Sequence, residues 1–246
     1  MSLLQVNGLV RRFGGVVALR DVELTMEAGE TLGMIGPNGS GKTTFVNIVS
    51  GHLASDAGTM LFDGETITGA SPHQLAARGL TRTYQAVRVF SGLSVARNIE
   101  TASLLRRDAR AGAGAGAGRA DGATVDELAE WLRLDRLMGK PAGSLTLFEQ
   151  RRLELLMRLA QRPRLIMLDE PVGGLALTEV REMIELLAQL KARCSLFVIE
   201  HTMRVIRELA DRVVVLMAGE KIADGAPDEV LRDKRVVEQY LGTVHA

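Results

Sequence analysis

Short apolar runs alternate with amphipathic stretches along most of the chain. Four of these runs consist almost wholly of apolar residues: Thr31–Ile35, Leu165–Leu168, Ser195–Ile199 and Val213–Met217. Runs of this length and character are typical of parallel strands that are covered on both faces. The pattern therefore predicts a mostly parallel sheet with helices packed on it.

Other segments predict the elements that accompany this sheet. Residues Lys42–Ser50 follow a glycine-rich loop and predict a helix. The segment Thr178–Arg193 is amphipathic, with Thr178 as the expected N-cap and basic residues in its last turn. Near the N-terminus, segments with strand-like alternation are joined by glycine-rich turns and predict a smaller antiparallel sheet: Leu4–Val10, Val22–Met26 and Thr59–Phe62.

The middle of the chain has a different pattern. Between Val95 and Ala160 the apolar residues recur with helical spacing, and the pattern contains no convincing strand. We therefore predict an α/β fold with an inserted α-helical subdomain at 95–160. Residues 1–94 and 161–246 would form the core, which holds the mostly parallel sheet and the antiparallel β-subdomain.

Composition narrows the class of partner. The 246 residues contain 30 basic and 30 acidic side chains, which argues against bulk attraction to nucleic acid or to an anionic membrane surface. The single cysteine, Cys194, precedes an apolar run and is expected to be a small core residue in a reducing compartment. No apolar run reaches the ~20 residues that span a bilayer. The run Ala111–Gly118 predicts a flexible surface loop, since it has no large side chain to bury.

A phosphate-binding loop follows the first apolar strand. Glycines allow consecutive backbone N–H groups to surround phosphate oxygens, and the helix start adds partial positive charge. Lys42 would bind the β- and γ-phosphates, and the Thr43 hydroxyl would bind Mg²⁺. The pattern G-x-x-x-x-G-K-[ST] thus predicts a P-loop NTPase core, with these residues around the nucleotide: Gly36, Pro37, Asn38, Gly39, Ser40, Gly41, Lys42, Thr43 and Thr44.

Polar residues at strand ends supply the remaining candidate chemistry. Asp169 suits the Mg²⁺ shell, and Glu170 suits a general base that polarises the attacking water. His201, after another strand, could donate to the γ-phosphate, although a lone histidine there is more often structural. Gln85 could reach the metal or the water through its amide, and by itself it could equally be an exposed loop residue.

A helix start between these motifs has an unusual sequence. Thr146 and Glu149 form an S/T-x-x-E capping box, so a helix is expected to begin there. Leu147 and Phe148 occupy its first turn. A Glu149 carboxylate aimed at a phosphate ~6 Å away would be repelled by roughly 3 kcal/mol at an effective dielectric of ~20, and the capping box relieves part of this repulsion.

Over almost all its length the chain resembles the ATP-binding subunit of an ABC transporter, and within that superfamily the ATPases of branched-chain amino-acid importers. The resemblance rests on G-P-N-G-S-G-K-T-T, on L-I-M-L-D-E-P, on Gln85 and on Val198–His201. Phe13 matches the position where the family stacks an aromatic ring on adenine. Two less specific stretches resemble the branched-chain importers in particular: Thr83–Val95 and Tyr240–Thr243.

The resemblance implies cofactors, partners and location. The cofactors would be ATP and Mg²⁺. Two such subunits would sandwich two ATP molecules, each bound by one subunit's phosphate loop and by the other's signature helix. Permease subunits would hold the pair at the cytoplasmic face of the membrane, docking near Gln85–Asn98. A periplasmic or extracellular substrate-binding protein would act indirectly, and no nucleic acid is expected.

Two departures from the family fall on surfaces that serve the partner's ATP. The signature, usually L-S-G-G-Q, would here be Leu145–Glu149, and Ala176 stands where the family usually has Asn or Asp. We therefore hypothesise an unequal heterodimer, in which this chain hydrolyses its own ATP and the ATP facing Phe148 and Glu149 turns over slowly. The alternative is a pair with two competent sites.

The function expected from the sequence is ATP hydrolysis that powers import of branched-chain amino acids or related small amides. One alternative is the ATPase of a lipid or lipopolysaccharide exporter. Another is a soluble ABC ATPase that remodels nucleoprotein without a permease. The neutral charge and the lack of a second ATPase domain argue against the last of these.

Overall fold

The structure, a computed structural model, describes residues 2–110 and 123–238, with backbone alone at residues 105–110. The run Ala111–Gly118 and the stretch Tyr240–Thr243 lie outside the described residues. The described chain divides into two compact units, Met1–Pro72 with Ser195–Ala246, and His73–Cys194.

Strands and helices alternate through both units. The strands are β1 (Ser2–Phe13), β2 (Val16–Glu27), β3 (Thr31–Ile35), β4 (Ala57–Phe62), β5 (Glu65–Thr66), β6 (Leu80–Arg82), β7 (Leu165–Asp169), β8 (Ser195–Ile199), β9 (Arg212–Met217) and β10 (Glu220–Gly225). The α-helices are α1 (Lys42–Val49), α2 (Pro72–Ala77), α3 (Val95–Arg110), α4 (Val125–Trp131), α5 (Leu147–Leu159), α6 (Leu177–Leu190), α7 (Met203–Leu209), α8 (Pro227–Val230) and α9 (Lys234–Val236).

The first unit contains two kinds of sheet. An antiparallel sheet has the strand order β2-β1-β4-β5, with Leu4 opposite Met26 on one side and Phe62 on the other. In the other sheet β3 lies between β8 and β9 and runs parallel to both, and β10 pairs antiparallel with β9. The predicted antiparallel N-terminal sheet and the mostly parallel sheet are both confirmed.

The parallel strands of this unit are buried because helices cover them. Every residue of β3 and β8 is buried. Phe45 of α1 stacks on Phe197 of β8, with ring centroids 5.8 Å apart. At Gly33 a Cβ would come within 3.0 Å of the Ile206 side chain, so α7 packs closely on β3. Apart from Thr31 and Ser195 at their first positions, the apolar character of these strands follows from this burial.

The second unit pairs β6 with β7 in parallel and contains α3, α4 and α5. In the described part of residues 95–160, these helices and two short 3₁₀ turns are the regular elements, as the helical spacing predicted. The predicted fold class, α/β with an inserted helical segment, is therefore confirmed. The predicted limits of the subdomain, 95 and 160, stay a prediction.

Helix α6 differs from its predicted bounds. It begins at Leu177 rather than Thr178 and ends at Leu190 rather than Arg193. Its N-cap is Ala176, whose backbone N–H donates to the Glu179 carboxylate at 2.9 Å. The predicted threonine cap was wrong, because here the first turn is held by an acidic side chain that reaches back to the backbone.

Burial makes Cys194 an inert thiol. It lies at the edge of the second unit and is buried, and its burial raises the pKa of the thiol to about 12. The thiolate is the reactive form of cysteine, so this raised pKa leaves the side chain unreactive near neutral pH. Its burial confirms the expectation of a core residue. Within the described residues no helix has the length and apolar character needed to cross a membrane.

Candidate functional site

The loop after β3 requires glycine at two positions. At Gly36 (φ +152°) a Cβ would lie 2.0 Å from the carbonyl oxygen of Leu216, and at Gly41 (φ +106°) it would lie 2.6 Å from that of Ala18. Neither approach is possible for a residue with a side chain. The backbone at Ala18 and Leu216 therefore packs directly against the loop. Because both positions are glycines, the loop backbone can turn its N–H groups toward an anion.

Lys42 lies inside this loop and opens α1. Its Nζ donates to the carbonyl oxygens of Gly36 at 2.6 Å and Pro37 at 2.9 Å. The first backbone N–H groups of α1 have no acceptor within the helix, which is the arrangement that binds phosphate at a helix start. The loop, the ammonium group and the helix start together fit a nucleotide phosphate.

Two further candidates in the same unit are exposed. Phe13 ends β1 with 47% of its surface accessible, and the Arg11 guanidinium lies 4.9 Å from its ring centroid. His201 follows β8, and its imidazole is largely exposed. The buried Glu200 carboxylate accepts from the backbone N–H of His201 at 3.2 Å, which fixes the backbone on which the imidazole stands.

In the second unit, Asp169 ends β7 in a buried ion pair that the sequence did not suggest. Its Oδ2 accepts from the Arg82 Nη2 at 2.7 Å, and both side chains are buried. The Arg82 guanidinium lies 5.0 Å from the Tyr84 ring centroid. Charge-assisted hydrogen bonds of this length fix a carboxylate firmly. A cation that binds Asp169 would therefore share it with Arg82.

Glu170 and Gln85 are in direct contact. The Gln85 Nε2 donates to the Glu170 Oε2 at 2.9 Å, so the amide holds one oxygen of the candidate general base. Glu170 also has φ +48°, in the left-handed region that non-glycine residues seldom adopt. Such a conformation persists where the surrounding contacts impose it, and it often marks a functional residue.

The predicted metal ligands are oxygen donors. In the second unit Asp169 has a carboxylate and Gln85 an amide oxygen, and in the first unit Thr43 has a hydroxyl; all three are of the hard type that Mg²⁺ prefers. Among the described residues, no group of three or more His, Cys, Asp or Glu side chains could hold a metal ion by itself.

The helix start at Thr146 is capped as predicted. The Glu149 N–H donates to the Thr146 hydroxyl at 3.2 Å, and the Thr146 N–H donates to the Glu149 carboxylate at 2.8 Å. The Glu149 charge is thus turned back on its own helix. Phe148 is only 7% exposed and lies under the Arg152 guanidinium, whereas Leu147 is 41% exposed. The hypothesis that Phe148 faces the partner's nucleotide was therefore wrong, because this side chain points into the unit.

The loop before α6 lies beside this helix start. A Cβ at Gly174 would come within 3.1 Å of a Leu147 methyl carbon, so Leu147 rests on that loop. Ala176 is exposed and makes no side-chain cap, and Leu177 is 83% exposed. This part of the chain thus presents the apolar side chains of Leu147, Ala176 and Leu177.

Buried charges on α5 were missed by the sequence analysis. Arg151 and Glu154 are 7% and 1% exposed. Burial raises the pKa of the Glu154 carboxyl from 4.5 to about 7, against the opposing effects of Arg158, the backbone N–H of Arg88 and Arg151. Nothing in the sequence distinguishes these residues from the solvated charges of an ordinary amphipathic helix.

The raised pKa predicts how Glu154→Gln changes stability with pH. Between pH 4.5 and 7 the folded chain keeps a proton that the unfolded chain has lost, so stability falls as pH rises through this window. A shift of this size is worth about 3 kcal/mol. Glutamine cannot ionise, so the free energy of unfolding of the variant does not fall in this way. Its advantage over the unaltered chain should therefore grow by about 3 kcal/mol as the pH rises from 4.5 to 8.

Urea unfolding at several pH values measures this gain. Glu130→Gln, at an exposed position of α4, is the matched control and should leave the pH profile unchanged. Parallel profiles for Glu154→Gln and the unaltered chain would contradict the prediction.

The predicted site residues fall into two groups. The first unit holds Phe13, the loop 36–44 and His201, and the second holds Gln85 with the strand-end acids. Among them, the structure brings Gln85 and Glu170 into hydrogen-bond contact. The roles assigned to all of these residues remain predictions.

Comparison with known proteins identifies relatives over the whole length. The ABC transporter family matches residues 19–173, and the family "branched-chain amino acid ATP-binding cassette transporter" matches residues 220–246. The high-affinity branched-chain amino acid transport ATP-binding protein BraF of Pseudomonas aeruginosa is 34% identical, with 98% of each chain covered. The lipopolysaccharide export system ATP-binding protein LptB of Haemophilus influenzae is 31% identical, again over 98% of each chain.

A solved structure has the same architecture. The ADP conformation of an ATP-binding cassette from an ABC transporter superposes with a TM-score of 0.82 at 28% identity, covering 98% of this chain and 99% of that one. The likeness extends over nearly all residues of the chain.

Proposed function

Since the chain belongs to the ABC transporter family and is an ATP-hydrolysing subunit of that family, we propose that it powers an importer for branched-chain amino acids or related small amides. The observation that carries the importer assignment is the match of residues 220–246 to the branched-chain amino acid cassettes. The 34% identity to BraF supports it. The 31% identity to LptB makes lipopolysaccharide export the second candidate.

The proposed roles in nucleotide binding follow from the geometry of each residue. Lys42 would exchange the carbonyls of Gly36 and Pro37 for phosphate oxygens, with the rest of the loop supplying N–H donors. Phe13, exposed at the end of β1, would stack on adenine. Asp169, Thr43 and Gln85 would hold Mg²⁺, which when bound neutralises phosphate charge and orients the γ-phosphate.

The proposed hydrolysis centres on Glu170. Its carboxylate, oriented by the Gln85 amide, would accept the proton of the attacking water. His201 would donate to the γ-phosphate oxygens from its exposed position after β8. The left-handed backbone at Glu170 supports this role, since strained backbone conformations of this kind cluster at functional sites.

We also propose that the chain works in an unequal heterodimer with a second ABC ATPase. Phe148 and Glu149 are turned away, so the argument now rests on Leu147 and Ala176. The exposed leucine would keep the α5 start away from the partner's phosphate, and the alanine side chain offers no hydrogen-bond acceptor.

Permease subunits would bind near Gln85–Asn98, where Phe90 and Leu93 are exposed, and would hold the chain at the cytoplasmic face of the membrane.

Transport by reconstituted vesicles tests the importer proposal. The chain is assembled with a companion ATPase, a permease and a substrate-binding protein, and uptake of labelled leucine is followed. We expect accumulation that requires ATP and the binding protein, and that the exposed Arg133→Gln control leaves unchanged. ATP-dependent release of lipopolysaccharide without leucine uptake would contradict it in favour of export.

A further inference from the structure

Helix α5 has three buried charged residues, and two of them, Arg151 and Glu154, contact the backbone around Gln85. Arg151 and Glu154 are three positions apart and therefore lie on one side of the helix. Their exposures of 7% and 1% mean that both charges are largely removed from water. A buried charge is tolerated only where polar groups satisfy it, so the partners of these residues indicate what they hold.

Arg151 joins two loops of the second unit. Its Nη2 donates to the carbonyl oxygen of Gly173 at 2.7 Å and to that of Gln85 at 3.3 Å. The Gly173 N–H in turn donates to the Glu170 carbonyl oxygen at 3.0 Å, which closes a turn on Glu170. One guanidinium group therefore links the backbone at Gln85 to the turn that follows Glu170.

Glu154 holds the backbone on both sides of Gln85. Its Oε1 accepts from the Arg88 N–H at 3.3 Å, and the backbone N–H of Tyr84 also hydrogen-bonds to its carboxyl group. With the Arg151 bond to the Gln85 carbonyl, the loop from Tyr84 to Arg88 is tied to α5 at three points. The side chain of Gln85 itself remains exposed and reaches Glu170.

We infer that Arg151 and Glu154 are positioning residues that hold the hydrogen bond between Gln85 and Glu170 in place. Both ends of that bond are attached to α5, Gln85 directly and Glu170 through the Gly173 turn. The inference rests on the proposed function, in which Glu170 activates water. Neither residue touches the reacting atoms, so their loss changes the rate of hydrolysis through geometry alone.

Steady-state kinetics of Arg151 variants test the inference. In the full chain assembled with its companion ATPase and permease, Arg151→Gln is expected to lower kcat about 30-fold, since small misplacements of catalytic groups have effects of this order. The KM for ATP and the binding of a fluorescent ATP analogue should stay within about threefold, because the phosphate loop is unchanged. Arg151→Lys, which keeps a charged donor, should recover at least about threefold of the lost rate.

Hydrogen exchange gives a second readout on the full chain alone. In Glu154→Ala the amides of Tyr84 and Arg88 lose their acceptor, and their exchange should accelerate about tenfold or more while the strand amides of β7 stay protected. Arg133→Gln, at an exposed ion pair with Glu182, is the control for both experiments.

Each outcome is informative. A kcat for Arg151→Gln equal to that of the control, or unchanged exchange at Tyr84 and Arg88, would overturn the inference. A uniform rise in exchange through β7 would also overturn it, since the residues would then act on stability alone. If Arg151→Gln does not fold, the kinetics are measured on Glu154→Ala instead: an unaltered kcat decides against the inference, and a loss confined to kcat supports it. Absence of hydrolysis in the unaltered assembly would instead contradict the proposed function.

Discussion

Replacing Glu170 by Gln in this chain is expected to lower ATP turnover of the assembled transporter by about 100-fold or more, as loss of a general base does. The amide cannot accept the proton of the attacking water. The amide has the size of the carboxylate, and its oxygen can still accept a hydrogen bond from the Gln85 Nε2. In the unaltered chain this nitrogen lies 2.9 Å from the Glu170 Oε2. Nucleotide binding should therefore change less than about threefold.

The matching replacement in the companion ATPase should have a much smaller effect. The ATP of that subunit would face Leu147 and the loop that ends at Ala176, and would already turn over slowly. Phosphate release by the pair, with one subunit altered at a time, measures the difference, and Glu130→Gln is the control. A large loss from the companion's variant with little loss from Glu170→Gln would reverse the proposed asymmetry.

Replacing Lys42 by Ala is expected to weaken ATP binding by about 100-fold, a loss of about 2.7 kcal/mol. The ammonium group supplies charged hydrogen bonds to phosphate, each worth about 1.5–3 kcal/mol. The Lys42 Nζ also donates to the carbonyls of Gly36 and Pro37, so its removal also takes away two contacts that hold the loop.

Equilibrium binding of labelled ATP measures this effect. Circular dichroism confirms that the variant remains folded, and Lys140→Ala, at an exposed position, is the matched control. If the Lys42→Ala chain held ATP as firmly as the unaltered chain, the assignment of this loop to nucleotide would fail.

The strands and the phosphate loop could be predicted from the sequence because each depends on local pattern. The predicted bounds of β3 and β8 agree with the structure, and β7 extends one residue further, to Asp169. A strand buried on both faces consists mostly of apolar residues, so its approximate limits are visible in composition. The capping box of α5 was also predictable, because its two hydrogen bonds join residues three apart.

The direction of side chains in the first turn of α5 could not be predicted. Successive residues of a helix differ by about 100° around its axis, so either Leu147 or Phe148 could have faced inward. Arg152 decides the outcome, because its guanidinium lies 4.5 Å from the Phe148 ring. That contact depends on how the whole helix is rotated against the rest of its unit, and the spacing of residues in the sequence does not determine this rotation.

The polar groups that surround the strand-end acids were also not predictable. The Arg82–Asp169 pair joins residues 87 positions apart, and the bond from Arg151 to Gly173 joins two loops. Their partners depend on which strands and helices become neighbours. A buried arginine and a surface arginine have the same appearance in a sequence, so such contacts emerge only from the three-dimensional structure.

The inert thiol of Cys194 makes this chain convenient for site-specific labelling. It is the single cysteine in the sequence and is shielded from solvent, so maleimide reagents would leave the native protein unmodified. A cysteine introduced at Leu177, a highly accessible position, would then carry a fluorophore or spin label alone. Distances between such labels on two subunits would report opening and closing of an assembled pair without prior removal of the native cysteine.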